Sequence, residues 1–179
     1  MSVQRNYKDR LFRRLFGGED TKENLLMLYN ALNGTDYVNA DDLTVNTIED
    51  VIYMKMKNDV SCIVDGRLSL FEHQSTFSPN LPVRGMMYFA KMYDRFIEEN
   101  HLDIYGKALV KLPTPQYYVI YNGEEDQPDV MEPKLSDAFE RPVVSGEFEW
   151  SAIMYNINSG HNRELLKKCK PLADYQQYF

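Results

Sequence analysis

The stretch "NDVSCIVDGRLSLFEHQ", Asn58 through Gln74, decides the reading of this chain. Asp65-Gly66 stands between two runs of alternating apolar residues. An Asp-Gly pair in that setting signals a two-residue type I′ hairpin, because glycine accepts the positive φ the turn requires. With those two residues as the turn, Val64 faces Arg67 and Asp59 faces Glu72. Opposed residues share a face, with Cβ atoms roughly 4.5–5.5 Å apart. The strand period of two puts Gln74 on the same face as Glu72, and Lys57 opposite Gln74.

Two carboxylates side by side on a sheet repel unless something compensates. A hard divalent cation is one compensation, since Mg²⁺ takes oxygen ligands from one or two carboxylates, water and substrate phosphate. The other reading is that Asp59 and Glu72 are strand-end charges in water, or that the turn is not two residues long. The spacing alone leaves both open.

Outward from the hairpin, the pattern alternates between helix and strand. "YKDRLFRRLF" (7–16) carries Leu11, Phe12, Leu15 and Phe16 at helical spacing, and Gly17-Gly18 stops it. Asp20 and Glu23 resemble a capping box for a helix over 23–32, with Gly34 at its end. Strand character runs from about Leu43 to Leu70. A helix is predicted over 78–100, with an apolar stripe of Val83, Met86, Met87, Ala90, Tyr93 and Ile97. Strands follow at 116–123, ending in an Asn-Gly turn, and at 145–158; a last helix is predicted over 160–169. This order predicts an α/β fold with a central mixed β-sheet flanked by helices.

At 179 residues, with 44% apolar and 13% aromatic content, the chain supports one domain with a real core. It has no apolar run near the roughly 18 residues of a membrane span, and its start is not a signal peptide, so a soluble cytoplasmic protein with no membrane partner is expected. Cys62 and Cys169 are expected to be buried thiols rather than a disulfide or a Cys-rich metal site.

The charge of −7 is unevenly spread. Residues 124–149 hold nine acidic and two basic side chains, equal to the whole net charge. Residues 1–16 hold Arg5, Lys8, Arg10, Arg13 and Arg14 against Asp9, a local charge of +4. A polyanionic partner is therefore compatible with the sequence, with Arg13 and Arg14 as candidate contacts; a solvated helix face is the plainer explanation of the run. Gly-rich phosphate loops, His pairs at zinc spacing and nucleophile elbows are all missing from the sequence.

"KNDVSCIVDGRLSLFEHQSTFSPNLPVRGMMYFAKMY" (57–93) resembles the core of the PD-(D/E)XK nuclease superfamily, in its recombination-promoting, transposase-associated branch. The likeness extends through "YKDRLFRRLF", "LPTPQYYVIYNG" (112–123), "LSDAF" (135–139) and "NINSGHN" (156–162), and so covers nearly the whole chain. It implies a restriction-endonuclease-like core over residues 1–179, lacking the C-terminal helices with which the branch usually continues. The implied activity is Mg²⁺-dependent endonucleolytic cleavage of DNA, with Mn²⁺ as an alternative ion. A homo-oligomer is compatible with it.

Carried over by residue, the resemblance makes Asp59 and Glu72 metal ligands, completed by the main-chain carbonyl of His73. Asn58 stands where the superfamily's name has Pro, and Gln74 where it has Lys, as in many members of the branch. Glutamine orients a water by hydrogen bonds but brings no charge. Lys57 could supply that cation from the adjacent strand, or simply cover a sheet edge. Arg84 lies beside the implied site and suits a phosphate contact. Tyr88, Lys91 and Arg95 follow at helical spacing; Tyr88 is grouped with Arg84 as a DNA contact, while Lys91 and Arg95 read as a solvated face. Asp9 is an auxiliary acid or a surface charge, and Asn162 a helix start.

Overall fold

The protein is described here from a computed structural model covering residues 2–45, 59–144 and 148–179, with side chains for 7–45, 60–144 and 148–179. Lys57 therefore lies outside the described residues, and Asp59 is described by its backbone alone.

The chain runs α1 (Ser2–Phe16), α2 (Lys22–Asn33), β1 (Thr44–Val45), β2 (Asp59–Val64), β3 (Arg67–Gln74), α3 (Leu81–Glu99), β4 (Thr114–Tyr121), β5 (Val130–Met131), β6 (Ile153–Asn156), α4 (Arg163–Lys168) and α5 (Lys170–Gln177). The six strands form one sheet in the order β1-β2-β3-β4-β6-β5. β3, β4 and β6 are parallel neighbours, and β1, β2 and β5 pair antiparallel. The fold is α/β, a six-stranded mixed sheet flanked by helices. Among the described residues no helix is long and apolar enough to cross a membrane.

The β2–β3 hairpin forms in the expected register. Val64 pairs with Arg67 and Asp59 with Glu72. Asp65 and Gly66 have φ of 46° and 70°, the two positive values of a type I′ turn. Tyr37 donates to the Asp65 carboxylate at 2.8 Å and ties the turn to the segment after α2.

Strand alternation divides β3 between two cores. Phe71 joins Val60, Cys62, Val64, Tyr118 and Ile120 on the face covered by α1, α2, α4 and α5. Phe12 and Phe16 are fully buried there, and at about 1.5–3 kcal/mol per large apolar side chain they account for much of the docking of α1. Leu68 and Leu70 belong to the other face, with Tyr117, Val119, Tyr121 and the α3 residues Leu81, Phe89 and Met92.

α3 is turned relative to the sequence expectation. Its buried residues are Leu81, Pro82, Gly85, Tyr88, Phe89 and Met92, while Met87 is exposed. The reason is Gly85: a Cβ there would lie 2.6 Å from Cδ1 of the Tyr117 ring, so only glycine lets the helix backbone come this close to β4.

Other expectations are also corrected. Asp20 does not cap α2; the helix begins after Thr21, whose hydroxyl bonds Gly18 instead. Gly34 does end the helix, at φ 65°. Of the strand expected over 145–158, residues 145–147 lie outside the described residues, and the rest forms a shorter strand, Ile153–Asn156. The last helix stops at Lys168, and after Cys169 a further helix, α5, starts with Pro171 in its first turn.

Candidate functional site

Glu72 is the centre of the site. It sits in the sixth position of β3, between the antiparallel β2 and the parallel β4, and only 1% of it reaches solvent. A carboxylate buried this deeply needs donors on both oxygens. Arg84 Nη2 and Gln74 Nε2 donate to Oε1, and the Tyr117 hydroxyl donates to Oε2.

Each donor is placed by a different element. Gln74 follows two residues later on the same face of β3 and is 6% exposed. Tyr117 comes from β4, where Leu70 is its register partner and Val119 is that of Glu72. Arg84 reaches in from the first turn of α3, which Gly85 holds against Tyr117.

Burial pushes the Glu72 carboxyl above the ordinary carboxylate range, against the opposing pull of Arg84, Tyr117 and Gln74. Burial acts most strongly on the Arg84 guanidinium and lowers it, but Glu72 together with Tyr88 and Tyr117 outweighs burial and holds it above its ordinary value.

Asp59 faces Glu72 across the hairpin as the turn geometry requires. The carbonyl of Gln74 accepts the Asn122 N–H at 3.0 Å, on the β4 side. Alternation along the strand turns the His73 carbonyl the other way, toward the β2 side where Asp59 stands. Among the described residues no three His, Cys, Asp or Glu side chains cluster closely enough to hold a metal. The oxygens that could hold a Mg²⁺ or Mn²⁺ ion are those of Glu72, the His73 carbonyl and Asp59, whose side chain lies outside the described residues.

Other expected site residues fall elsewhere. Tyr88 is only 4% exposed, so it is no surface contact for DNA; its hydroxyl accepts from Arg84 Nη2 at 3.1 Å and props the guanidinium. Arg95 pairs with Glu99 at 2.6 Å on the exposed part of α3. Asp9 makes no hydrogen bond to Glu72, though its charge helps to raise the Glu72 carboxyl. It bonds the His73 ring nitrogen Nδ1 at 2.7 Å, and that ring packs with Phe12 and Tyr175 on the opposite sheet face. Arg13 and Arg14 lie in the last turn of α1, which packs on that same opposite layer.

Lys8 binds the carbonyl of Asn122 at 3.0 Å, where β4 ends, and burial lowers its pKa. Asn162 stands at the start of α4 as its N-cap residue, but its side chain makes no capping bond. Its amide donates to the carbonyls of Asn156, at 2.8 Å, and Asp129. With Asn158 bonded to Gly123 O and Asn156 to Gln127 O, it fastens the acidic segment after β4 to the sheet.

Sequence reasoning missed Tyr117. The alternation in "QYYVIYNG" does place Tyr117, Val119 and Tyr121 on one face, but only the β3–β4 register brings the first of them to Glu72. Comparison of the chain with protein-family models, with curated proteins and with solved structures finds no match.

Proposed function

We propose that the chain is a metal-dependent DNA endonuclease with a restriction-endonuclease-like core, of the PD-(D/E)XK type and its recombination-promoting, transposase-associated branch. The observation that carries this reading is the opposition of Asp59 and Glu72 across a β-hairpin, with Gln74 on the same face and bonded to Glu72. A mixed sheet covered by helices on both faces agrees with it.

Asp59, Glu72 and the His73 carbonyl would hold Mg²⁺ or Mn²⁺. The ion supplies an activated water and neutralises charge developing at phosphorus. Gln74 keeps the Glu72 carboxylate aimed and orients the attacking water through its amide. Tyr117 fixes the second oxygen of Glu72. Arg84, with a planar fork matched to phosphate oxygens, binds the scissile phosphodiester. In-line attack on phosphorus then leaves a 5′ phosphate and a 3′ hydroxyl.

Incubation with supercoiled plasmid tests this. Nicking is expected with Mg²⁺ or Mn²⁺, not with chelator, and not by Glu72→Gln; nicking that survives Glu72→Gln contradicts the assignment.

A second reading is a DNA-binding or regulatory protein of this fold that does not cut. Three donors already on Glu72, one of them cationic, favour it. DNA binding that is unchanged by Glu72→Gln, with no nicking by either protein, is its signature.

A further inference from the structure

We infer that Arg84 is the resident counter-ion of Glu72 and exchanges with a divalent cation, leaving the carboxylate for a substrate phosphate when the ion binds. The inference rests on the nuclease reading and adds an order of events to it.

The first ground is occupancy. A carboxylate offers about four lone-pair positions, and three on Glu72 are filled, two of them at Oε1 by Arg84 and Gln74. The second is charge. A guanidinium and a divalent ion within a few ångströms of the same carboxylate repel each other strongly in a site this shielded from water.

The third is which donor can leave. Tyr117 is 2% and Gln74 6% exposed, locked in the sheet, whereas the Arg84 side chain is 37% exposed. Besides Glu72 its guanidinium has the Tyr88 hydroxyl at 3.1 Å and the Tyr88 ring, 5.9 Å from centroid to Cζ. Rotation of one long side chain from the first turn of α3 frees one position on Oε1 without moving the sheet or Gln74. The freed fork then carries its charge to the surface beside the site, where a phosphodiester matches its paired donors.

The test is calorimetric titration of Mn²⁺ and Mg²⁺, without DNA, into the full chain and into Arg84→Gln, Arg84→Lys and Tyr88→Phe. Exchange predicts that Arg84→Gln binds the cation on the order of tenfold tighter, because its competitor is gone. Arg84→Lys keeps a competing charge and stays near the wild-type affinity. Tyr88→Phe keeps the ion pair but removes its prop, so it shifts affinity the same way by a smaller factor, and it decides the matter if Arg84→Gln does not fold. Unchanged or weaker cation binding in both Arg84→Gln and Tyr88→Phe, with the wild type binding normally, overturns the exchange and leaves the nuclease reading standing. If no protein in the series binds either cation, the nuclease reading falls and the exchange with it.

Discussion

Tyr117 donates its phenolic hydrogen to Oε2 of Glu72 from the parallel neighbouring strand, in a position two residues before the register partner of that carboxylate. The contact ties the candidate site to the β3–β4 ladder in the middle of the sheet. Neither residue has an alternative in water, since both are almost wholly buried.

Tyr117→Phe keeps the ring and removes only this donor. Leaving a buried carboxylate oxygen unsatisfied costs roughly 1–3 kcal/mol, so the urea midpoint should fall accordingly with the unfolding slope unchanged. An unaltered midpoint would mean that Glu72 finds another donor.

Gly85→Ala separates two opposing effects. Alanine gains up to about 1 kcal/mol in helix propensity, but its Cβ meets the buried Tyr117 ring, and overpacking of this kind costs about 1–3 kcal/mol. The expected result is net destabilisation together with tighter cation binding, as α3 carries Arg84, the cation's competitor, away from Glu72. A more stable variant with wild-type cation affinity would show that the close approach is not needed.

The pH dependence of stability follows from Glu72. Its folded pKa is raised by burial above the unfolded value of about 4.3, so the folded state holds this proton longer. The resulting stability is fully present below the unfolded pKa and is lost as pH rises through the folded one. Glu72→Gln removes that loss. The stability of the variant minus that of the wild type should therefore grow as pH rises from 4 toward neutrality, measured by urea unfolding at each pH; a difference that shrinks over this range would contradict a raised carboxyl.

Gln74→Lys restores the residue in the superfamily's name. Its ammonium would still donate to Glu72 and would add a charge beside the attacking water, so nicking should survive or increase. Complete loss of nicking with intact cation binding would instead assign the amide a specific orienting role.

The hairpin was legible in the sequence because its cause is local: Asp65-Gly66 fixes the turn, and the turn fixes which residues oppose each other. The pairing of Asp59 with Glu72 and the side shared with Gln74 follow from that alone. The face of α3 was not legible, because Tyr88 and Gly85 turn inward for partners on β4 and β3 that no helical period encodes. The residues after β4 were legible only as an acidic stretch, and β5 and a 3-10 turn at Leu135–Ala138 form there. Amides from Asn156, Asn158 and Asn162, some thirty residues on, hold the start of that stretch in place. α5 was hidden because Pro171 looks like an ending, when proline equally suits the first turn of a helix.

The central claim is that Asp59 and Glu72 hold one divalent cation between them. Calorimetric titration of Mg²⁺ and Mn²⁺ into the wild type and Asp59→Asn, with plasmid nicking by the same two proteins, tests it most directly. Binding and nicking present in the wild type and lost together in Asp59→Asn is the predicted result; equal binding by both proteins, or none by either, would return the two carboxylates to the role of strand-end charges.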